Sequence, residues 1–375
     1  MKEKFSLKDH LFNQTKVEKI ANQIQSVYSS FQKKLFLEKV VNKFPELELK
    51  ERIIWISECL KFYLPSEFKL AKEILIQSLP PKNDPNLKDN DFGDFIYAPY
   101  SEFIARYGCT KEYLNISLEA LREITMRFSA EDAIRYFLNS FPKETLKKLI
   151  QWSKDKNYHV RRLCSEGTRP KLPWSQKINI ATDSVIPILD NLFSDSTRFV
   201  TRSVANHLND LSKIDSKLTI GLIKKYKQSK KQDQKEMEFI TNHSLRTLIK
   251  QGNKEALKEI GFADSSGLKL NHFKIPKNVK MNSYLEFSFE LESTKNKDVL
   301  IDYILYFQTK KGELNSKKVF KLKTIFIKKE KKVFIQKKHL LKQFMTTRTL
   351  YQGQHEIEIQ INGKNFIKGS FLLNE

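Results

Sequence analysis

The sequence is poor in cysteine, glycine and proline. Its three cysteines, Cys59, Cys109 and Cys164, are far apart and form no CxxC pair, so neither a disulfide framework nor a thiolate zinc site is expected. Only 11 Gly and 11 Pro occur among 375 residues, which excludes collagen-like and low-complexity chains. With 40% hydrophobic residues, we expect an ordinary folded protein, and the length indicates about two domains.

Long apolar runs are also missing, and acidic residues are outnumbered. No stretch of 18 apolar residues occurs and the chain does not open with a signal peptide, so we expect a cytoplasmic protein that does not enter a membrane. The 67 Lys+Arg against 44 Asp+Glu leave a net charge of +23, which predicts a polyanionic partner. The last part is the most basic, since residues 265–375 hold 22 Lys+Arg and 10 Asp+Glu.

The spacing of apolar residues divides the chain in two. As far as about Phe262, apolar residues recur at intervals of three and four, which predicts helices. After residues 265–267 the interval becomes two, and Asn362-Gly363 stands between two such runs, as in a β-hairpin with a type I′ turn. We therefore predict a helical domain over 1–264 and an immunoglobulin-like β-sandwich over 265–375.

The helical part contains a repeat. Asp155, Val160 and Arg162 recur as Asp195, Val200 and Arg202 at an offset of 40 residues, and a weaker echo surrounds Arg246. This period is typical of HEAT-like helix pairs, in which the Asp closes a turn and the Val-x-Arg opens the second helix. The helical domain is thus expected to be a HEAT-like-repeat α-solenoid.

One copy of the repeat is interrupted. In the second copy a helix continues, with Arg202, Asn206 and Asp210 on one polar face, opposite a buried stripe of Val200, Val204, Leu208 and Leu211. In the first copy Gly167, Pro170 and Pro173 rule out a long regular helix. A repeat that is broken at one place often has a functional site there.

The interrupted segment resembles a known signature. Residues 157–174, with the core Ser-Glu-Gly-Thr-Arg-Pro over 165–170, closely resemble the AlkC family of bacterial DNA glycosylases, part of the AlkC/AlkD HEAT-like-repeat superfamily. The likeness continues at 121–125, 129–135 and 203–210, at residues 5–8, and in the tail around Asp302 and over 353–357. It therefore covers nearly the whole chain.

The resemblance implies a monofunctional DNA glycosylase of the subtype with a C-terminal immunoglobulin-like domain. Such an enzyme excises cationic alkylated bases, N3-methyladenine foremost and N3-methylcytosine, from double-stranded DNA without flipping the base into a pocket. We expect a monomer bound to nucleoid DNA. No cofactor is implied, and the histidines show no metal-ligand spacing.

The same resemblance assigns three catalytic acids. Glu166 and Asp210 match active-site acids of the family, and Glu131 is carried over as the third. An alkylated base leaves as a neutral molecule, so the remaining task is to stabilise an oxocarbenium-like sugar and to position water, which carboxylates can do. The residues alone leave open a surface salt bridge for Glu166, an Arg-paired helix residue for Asp210, and a helix N-terminus for Glu131.

The remaining candidates would contact DNA. Trp174 and Trp152 could present an indole to a cationic base or a sugar, although a Trp in a helical repeat is usually core. Phosphate contacts are expected from three arginines of the repeats, two of which, at matching repeat positions, could instead hold neighbouring repeats together. Asn206 shares the face of Asp210. The full set of DNA-binding candidates is Trp174, Trp152, Arg162, Arg169, Arg202 and Asn206 in the helical domain, and Arg348 and His355 in the tail.

The rival hypothesis is a non-catalytic HEAT-repeat scaffold that binds nucleic acid or an acidic partner. Charge and repeats fit both hypotheses. The acids favour the enzyme, because carboxylates beside phosphates bring nothing to a protein that only binds polyanions.

Overall fold

The computed structural model describes residues 5–84, 86, 89, 92–345 and 348–375. A series of helices is followed by strands, and the last helix ends at Glu259 before the first strand starts at Leu268. Within the described residues, no helix is long and apolar enough to cross a membrane.

The helices are α1 (Leu7–Leu11), α2 (Gln14–Val27), α3 (Lys33–Asn42), α4 (Leu49–Tyr63), α5 (Phe68–Gln77), α6 (Ala98–Gly108), α7 (Leu114–Thr125), α8 (Ile134–Ser140), α9 (Pro142–Trp152), α10 (Tyr158–Gly167), α11 (Ile186–Leu192), α12 (Arg198–Leu211), α13 (Ser216–Ser229), α14 (Gln234–Lys250) and α15 (Lys254–Glu259). Short 3₁₀ helices cover Phe44–Glu46, Phe95–Tyr97 and Thr182–Val185. The strands are β1 (Leu268–Lys274), β2 (Asn278–Lys280), β3 (Tyr284–Ser293), β4 (Lys297–Phe307), β5 (Ser316–Ile327), β6 (Val333–Leu340), β7 (Phe344–Met345), β8 (Arg348–Thr349), β9 (Gly353–Ile361) and β10 (Lys364–Asn374).

The residues group into two compact units. One contains the chain up to 211 together with 226–240, and the other contains 212–225 and 241–375. The predicted boundary after residue 264 lies within the change from helix to strand and stays a prediction.

The 40-residue repeat corresponds to two equivalent helices of the first unit. α10 begins at Tyr158 and α12 begins at Arg198, forty residues later. Before each helix an aspartate closes the turn: the Asp155 and Asp195 carboxylates each accept the backbone N–H two residues on, at 2.8 Å. The turn role that the sequence predicts for these aspartates is confirmed.

An arginine on one helix forms an ion pair with an acid of the next repeat, and this arrangement occurs at three successive places. Such cross-repeat pairs fix the stacking of neighbours, which is the stabilising contact of repeat proteins. The three ion pairs, each 2.5 Å long, are Arg122 with Asp155, Arg161 with Asp195, and Arg198 with Glu236.

The predicted interruption of the first copy is confirmed. α10 ends at Gly167 after 10 residues, whereas α12 runs for 14. From residue 168 to 181 the chain forms neither helix nor strand. A side chain at Gly167 would stand 2.5 Å from a methyl group of Ile134, so glycine is required where α10 packs against α8.

The predicted all-β tail is also confirmed. One sheet has the order β1-β3-β6 and the other β2-β10-β9-β4-β5, with β7 and β8 as a separate two-stranded ribbon. Alternate residues of the facing strands fill the core, as expected for two packed sheets. The most central of them are Leu285, Phe287, Phe289 and Leu291 on β3, Val299, Ile301, Tyr303 and Leu305 on β4, and Ile357, Ile359 and Ile361 on β9.

The predicted Asn-Gly hairpin joins β9 to β10. Asn362 and Gly363 have φ values of +47° and +74°, as a type I′ turn requires. The Asn362 side chain accepts the Leu300 N–H at 2.8 Å and donates to the Asp264 carbonyl at 2.7 Å. The turn is therefore tied to a neighbouring strand and to the chain that enters the sandwich.

We predict that Gly363→Ala lowers the free energy of unfolding by about 2–4 kcal/mol. A Cβ there would stand 2.3 Å from Leu257 Cδ1 and 2.9 Å from Gly252 Cα, in addition to the strain of a left-handed residue. Gly261→Ala is the matched control, because Gly261 has φ +82° but no atom within 4 Å of a new Cβ, so only about 1 kcal/mol is expected. Chemical denaturation measures both, and equal losses would contradict the packing argument.

Candidate active site

Arg169 connects two buried carboxylates that come from different repeats. Its Nη1 donates to Glu166 Oε1 at 2.5 Å, and its Nε donates to Asp210 Oδ2 at 2.9 Å. Glu166 lies in the last turn of α10, Asp210 in the last turn of α12, and Arg169 two residues beyond the end of α10. The interruption of the first copy thus places a cation between the acids of both copies.

Glu166 is bonded through both of its oxygens. Its Oε2 accepts the Ser203 hydroxyl at 2.6 Å, and Arg162 Nη2 lies 3.9 Å from the same oxygen. Burial raises the pKa of this carboxyl, but Arg162, Arg169 and the Ser203 hydroxyl outweigh it and hold the pKa below its ordinary value. Glu166 is therefore an ionised carboxylate with a fixed orientation.

Arg162 extends the network to the third predicted acid. Its Nη1 donates to Glu131 Oε2 at 2.7 Å and to the Ser129 hydroxyl at 3.0 Å. The Ser129 hydroxyl in turn donates to the same Glu131 oxygen at 2.6 Å. Glu131 lies directly before α8, which begins at Ile134, and its carboxylate is bonded within this network.

The five side chains form one line of alternating charge: Glu131, Arg162, Glu166, Arg169 and Asp210. We call this line the acid cluster. Three carboxylates against two guanidinium groups leave one negative charge in a protein whose net charge is +23. The Glu131 side chain is 27% exposed, whereas those of Glu166 and Asp210 are 6% and 4% exposed. The acid cluster thus reaches from solvent into the interior.

The acid cluster contradicts one part of the sequence interpretation. Arg162 and Arg169 were expected to contact phosphates, but both are buried and their guanidinium groups bind carboxylates. For Arg162 the alternative of a link between repeats is the one observed. Arg202 likewise pairs with the Asp89 carboxylate, while Asn206 is half-buried on the same helix face as Asp210.

Trp174 is the most exposed aromatic residue near the acid cluster. Trp174 is 79% exposed. Its backbone nevertheless has φ +63°, a left-handed conformation that a bulky residue adopts only when its surroundings enforce it. Lys50 of α4 donates to the Trp174 carbonyl and pairs with Asp132 at 3.1 Å. A cavity of about 290 Å³ adjoins this indole and has Phe92, Phe128 and Glu131 in its wall.

Two other candidates are not brought to a surface. Trp152 is only 6% exposed at the end of α9. It is therefore a core residue, which was the alternative to DNA contact in the sequence analysis. His355 on β9 is 1% exposed and stacks on Phe371 at 5.6 Å between ring centroids. A groove contact by His355 is therefore corrected to a core role. Arg348 lies with its guanidinium 4.0 Å from the Phe307 ring centroid.

The sequence analysis missed two polar residues that support the acids. Ser203 and His207 are buried on α12 and lie on the same face as Asp210, at intervals of four and three residues. His207 Nδ1 is 3.0 Å from the Ser165 carbonyl, directly before Glu166. The signal for both is in the sequence, because Ser203, His207 and Asp210 recur at intervals of four and three, as residues on one face of a helix do. Within the described ranges, no group of three His, Cys, Asp or Glu side chains could hold a metal ion.

Comparison with known proteins identifies relatives of both parts of the chain. A family model described as DNA alkylation repair enzyme matches residues 125–237, which include the whole acid cluster. A model of the C-terminal Ig-like domain of the uncharacterised protein YhaZ matches residues 269–375. The uncharacterised protein YhaZ of Bacillus subtilis (strain 168) is 31% identical over 359 residues, which are 94% of this chain and 96% of that protein.

A solved structure decides the family. Alkylpurine DNA glycosylase AlkC of Pseudomonas fluorescens, bound to DNA with an abasic-site analogue, superposes with a TM-score of 0.88 at 31% identity, covering 99% of this chain and 100% of that one. The chain belongs to the AlkC family of DNA glycosylases. The predicted family, enzyme class and fold are therefore confirmed, including the C-terminal Ig-like domain that this AlkC-family protein carries.

We predict that His207 makes this AlkC-family protein sensitive to acid. Burial lowers the pKa of His207 in the folded protein to about 4. In the unfolded chain the same imidazole is protonated as the pH falls below about 6.5, so protonation favours the unfolded chain between these two pH values. The free energy of unfolding should then fall by up to about 3 kcal/mol between pH 6.5 and pH 4 through this residue. Urea denaturation at pH 7 and pH 4.5 measures the fall, which should be smaller in His207→Asn.

Wild type and His207→Asn share all their other titrating groups, so the difference between their two losses of stability isolates the contribution of His207. His10→Asn is the control, because His10 lies on the exposed surface. An equal fall in wild type and His207→Asn would show that His207 does not carry the effect.

Proposed function

We propose that this AlkC-family glycosylase excises cationic N-alkylated bases, N3-methyladenine and N3-methylcytosine, from double-stranded DNA. The observation that carries the proposal is the acid cluster, whose outermost acid, Glu131, lines the same cavity as the exposed indole of Trp174. A base alkylated at a ring nitrogen needs little acid catalysis, because it leaves as a neutral molecule. The enzyme must then stabilise a cationic sugar.

The acid cluster suits that electrostatic task. A carboxylate about 4 Å from a unit positive charge contributes about 4 kcal/mol at an effective dielectric constant of 20. Because Arg162, Arg169 and Ser203 hold Glu166 rigidly, its charge requires no reorganisation when the sugar becomes cationic. We assign Glu166 and Asp210 to this stabilisation.

Glu131 is the acid we assign to water. It is the most exposed of the three, and its Oε2 receives both Arg162 and Ser129, which orients the carboxylate towards the cavity beside Trp174 that it lines. A carboxylate in that position can orient or deprotonate the attacking water. From the family we carry over excision without base flipping, with the protein acting on the exposed sugar.

Double-stranded DNA is the proposed partner, and the strands of the C-terminal domain supply a basic surface for it. Residues 316–340 contain ten lysines and a single acid, Glu330. They form β5 and β6, the edge strands of the two sheets, and the turn between them. Lysines of this kind bind phosphates without reading sequence. We propose that the protein acts as a monomer.

The rival proposal, a scaffold without activity, explains the lysines but not the acid cluster. Burying the two carboxylates of Glu166 and Asp210 is costly unless each is paired, and a pure polyanion binder would gain nothing from them. The test is release of N3-methyladenine from methylated duplex DNA, and no release at enzyme excess would overturn the glycosylase proposal.

We predict that Asp210→Asn lowers the single-turnover rate of release at least about a hundredfold while binding to abasic DNA stays nearly intact. The amide keeps the shape of the carboxylate but removes the negative charge of Asp210 from the acid cluster. Asp195→Asn is the matched control, since Asp195 is also buried and paired with an arginine, Arg161, but stands outside the acid cluster. An unchanged rate in Asp210→Asn, or an equal loss in the control, would remove Asp210 from the mechanism.

We also predict that neutralising the turn between β5 and β6 weakens DNA binding. Replacing Lys328, Lys329, Lys331 and Lys332, all exposed, by Gln should reduce the slope of log K against log salt by up to about 3 to 4. The control replaces four exposed lysines on the β1–β2 side, namely Lys269, Lys274, Lys277 and Lys280. Equal slopes for the two variants would mean that net charge, and not this surface, governs binding.

A further inference from the structure

Arg135 is a buried arginine that stands outside the acid cluster. It lies on α8, is 1% exposed, and its burial lowers the pKa of the guanidinium. Its hydrogen bonds go to three backbone carbonyls, from Nη1 to Gly167 at 3.0 Å and to Arg169 at 2.9 Å, and from Nε to Gln176 at 2.6 Å. All three acceptors belong to the end of α10 and the irregular segment that follows it.

That segment depends on side chains for its position. Residues 168–181 form no helix or strand, so their backbone groups cannot be satisfied by a regular ladder. The carbonyls at the end of a helix also need partners from outside the helix. Arg135 supplies them at both ends of a stretch that contains Arg169 and Trp174.

Asn139, one turn further along α8, continues the same contact. Its side-chain amide donates to the Lys177 carbonyl at 2.9 Å and to Gln176 Oε1 at 3.2 Å, and its Oδ1 accepts the Asn179 N–H at 3.3 Å. One face of α8 therefore holds the segment, with the buried guanidinium as the central contact.

From this geometry we propose that Arg135 is a positioning residue for the acid cluster. Through the backbone carbonyl of Arg169, it sets the place from which the Arg169 guanidinium reaches Glu166 and Asp210. The role needs an arginine, because a planar fork reaches carbonyls in several directions whereas a lysine ammonium acts as a compact point charge. The proposal rests on the proposed function, since it concerns the rate of the same reaction.

A second buried arginine provides a matched control. Arg52 of α4 is 2% exposed and also donates to three backbone carbonyls, those of Lys8 at 3.1 Å, Phe12 at 2.8 Å and Phe44 at 2.8 Å. None of these acceptors belongs to the acid cluster or to residues 168–181. Arg52 also pairs with Asp9 at 2.7 Å, so Arg52→Lys disturbs at least as many hydrogen bonds as Arg135→Lys, at another place in the same unit.

The experiment compares the two lysine variants in the full-length protein. Both should lose thermal stability, because each leaves buried carbonyls without donors. The single-turnover release of N3-methyladenine should fall at least about tenfold in Arg135→Lys and by less than about twofold in Arg52→Lys, since small displacements of catalytic groups cost large factors in rate.

The pH profile separates positioning from general stability. If Arg169 moves away, Glu166 loses part of the field that holds its pKa low and becomes protonated at a higher pH. The acidic limb of the rate profile should therefore move to higher pH in Arg135→Lys and stay in place in Arg52→Lys. Identical limbs and equal rate losses in the two variants would overturn the proposal.

A readout independent of activity tests the hold on the segment. Lys171 and Lys177 are exposed within it, so tryptic cleavage at these two residues under native conditions reports its opening. Cleavage should be at least about threefold faster in Arg135→Lys than in Arg52→Lys, and equal cleavage would overturn the proposal even if the wild type released no base. Should Arg135→Lys fail to fold, Asn139→Ala is expected to give smaller changes of the same sign, and its failure to do so would count equally against the proposal.

Discussion

The pairing of Arg169 with Glu166 and Asp210 is the interaction on which the rest of the site depends. Two carboxylates that are almost fully buried would be protonated or would destabilise the fold if they faced each other without a cation. Breaking a buried pair of this kind typically costs about 3–5 kcal/mol. The guanidinium is a suitable cation, because it stays charged at any pH at which the protein is folded and binds two acceptors at once.

The constraint explains why the repeat is interrupted where it is. If α10 continued as α12 does, residue 169 would lie on a regular helix, and its side chain would point in the direction set by the helical repeat. Ending the helix at Gly167 lets the chain turn, so that Arg169 points back between the two acids. The irregular segment then needs hydrogen-bond donors from other elements. Arg135 of α8 donates to its backbone, and Lys50 donates to the Trp174 carbonyl.

Much of the architecture follows from local rules that can be applied to the sequence. The period-two runs, the Asn362-Gly363 turn and the end of a helix near Gly167 depend on neighbouring residues, and the structure has all three. The partners of the acids could not be predicted in this way. Whether Arg162 faces a phosphate or Glu131 depends on the stacking of repeats about thirty residues apart, and whether His355 is a surface or core residue depends on which face of its strand is inward. Trp152 shows the same limit, because its indole is equally compatible with a core position and with a binding surface until the packing of α9 is known.

The two copies of the repeat differ in a complementary way. At the position of Glu166 the second copy has Asn206, and at the position of Asp210 the first copy has Pro170, although Arg162 and Arg202 still correspond. Each copy thus has an acid at a position where the other has none, and neither copy could form the acid cluster by itself. Substituting consensus residues is a common route to more stable repeat proteins. In this chain such averaging would continue the short helix of the first copy and erase the asymmetry from which the acid cluster is made.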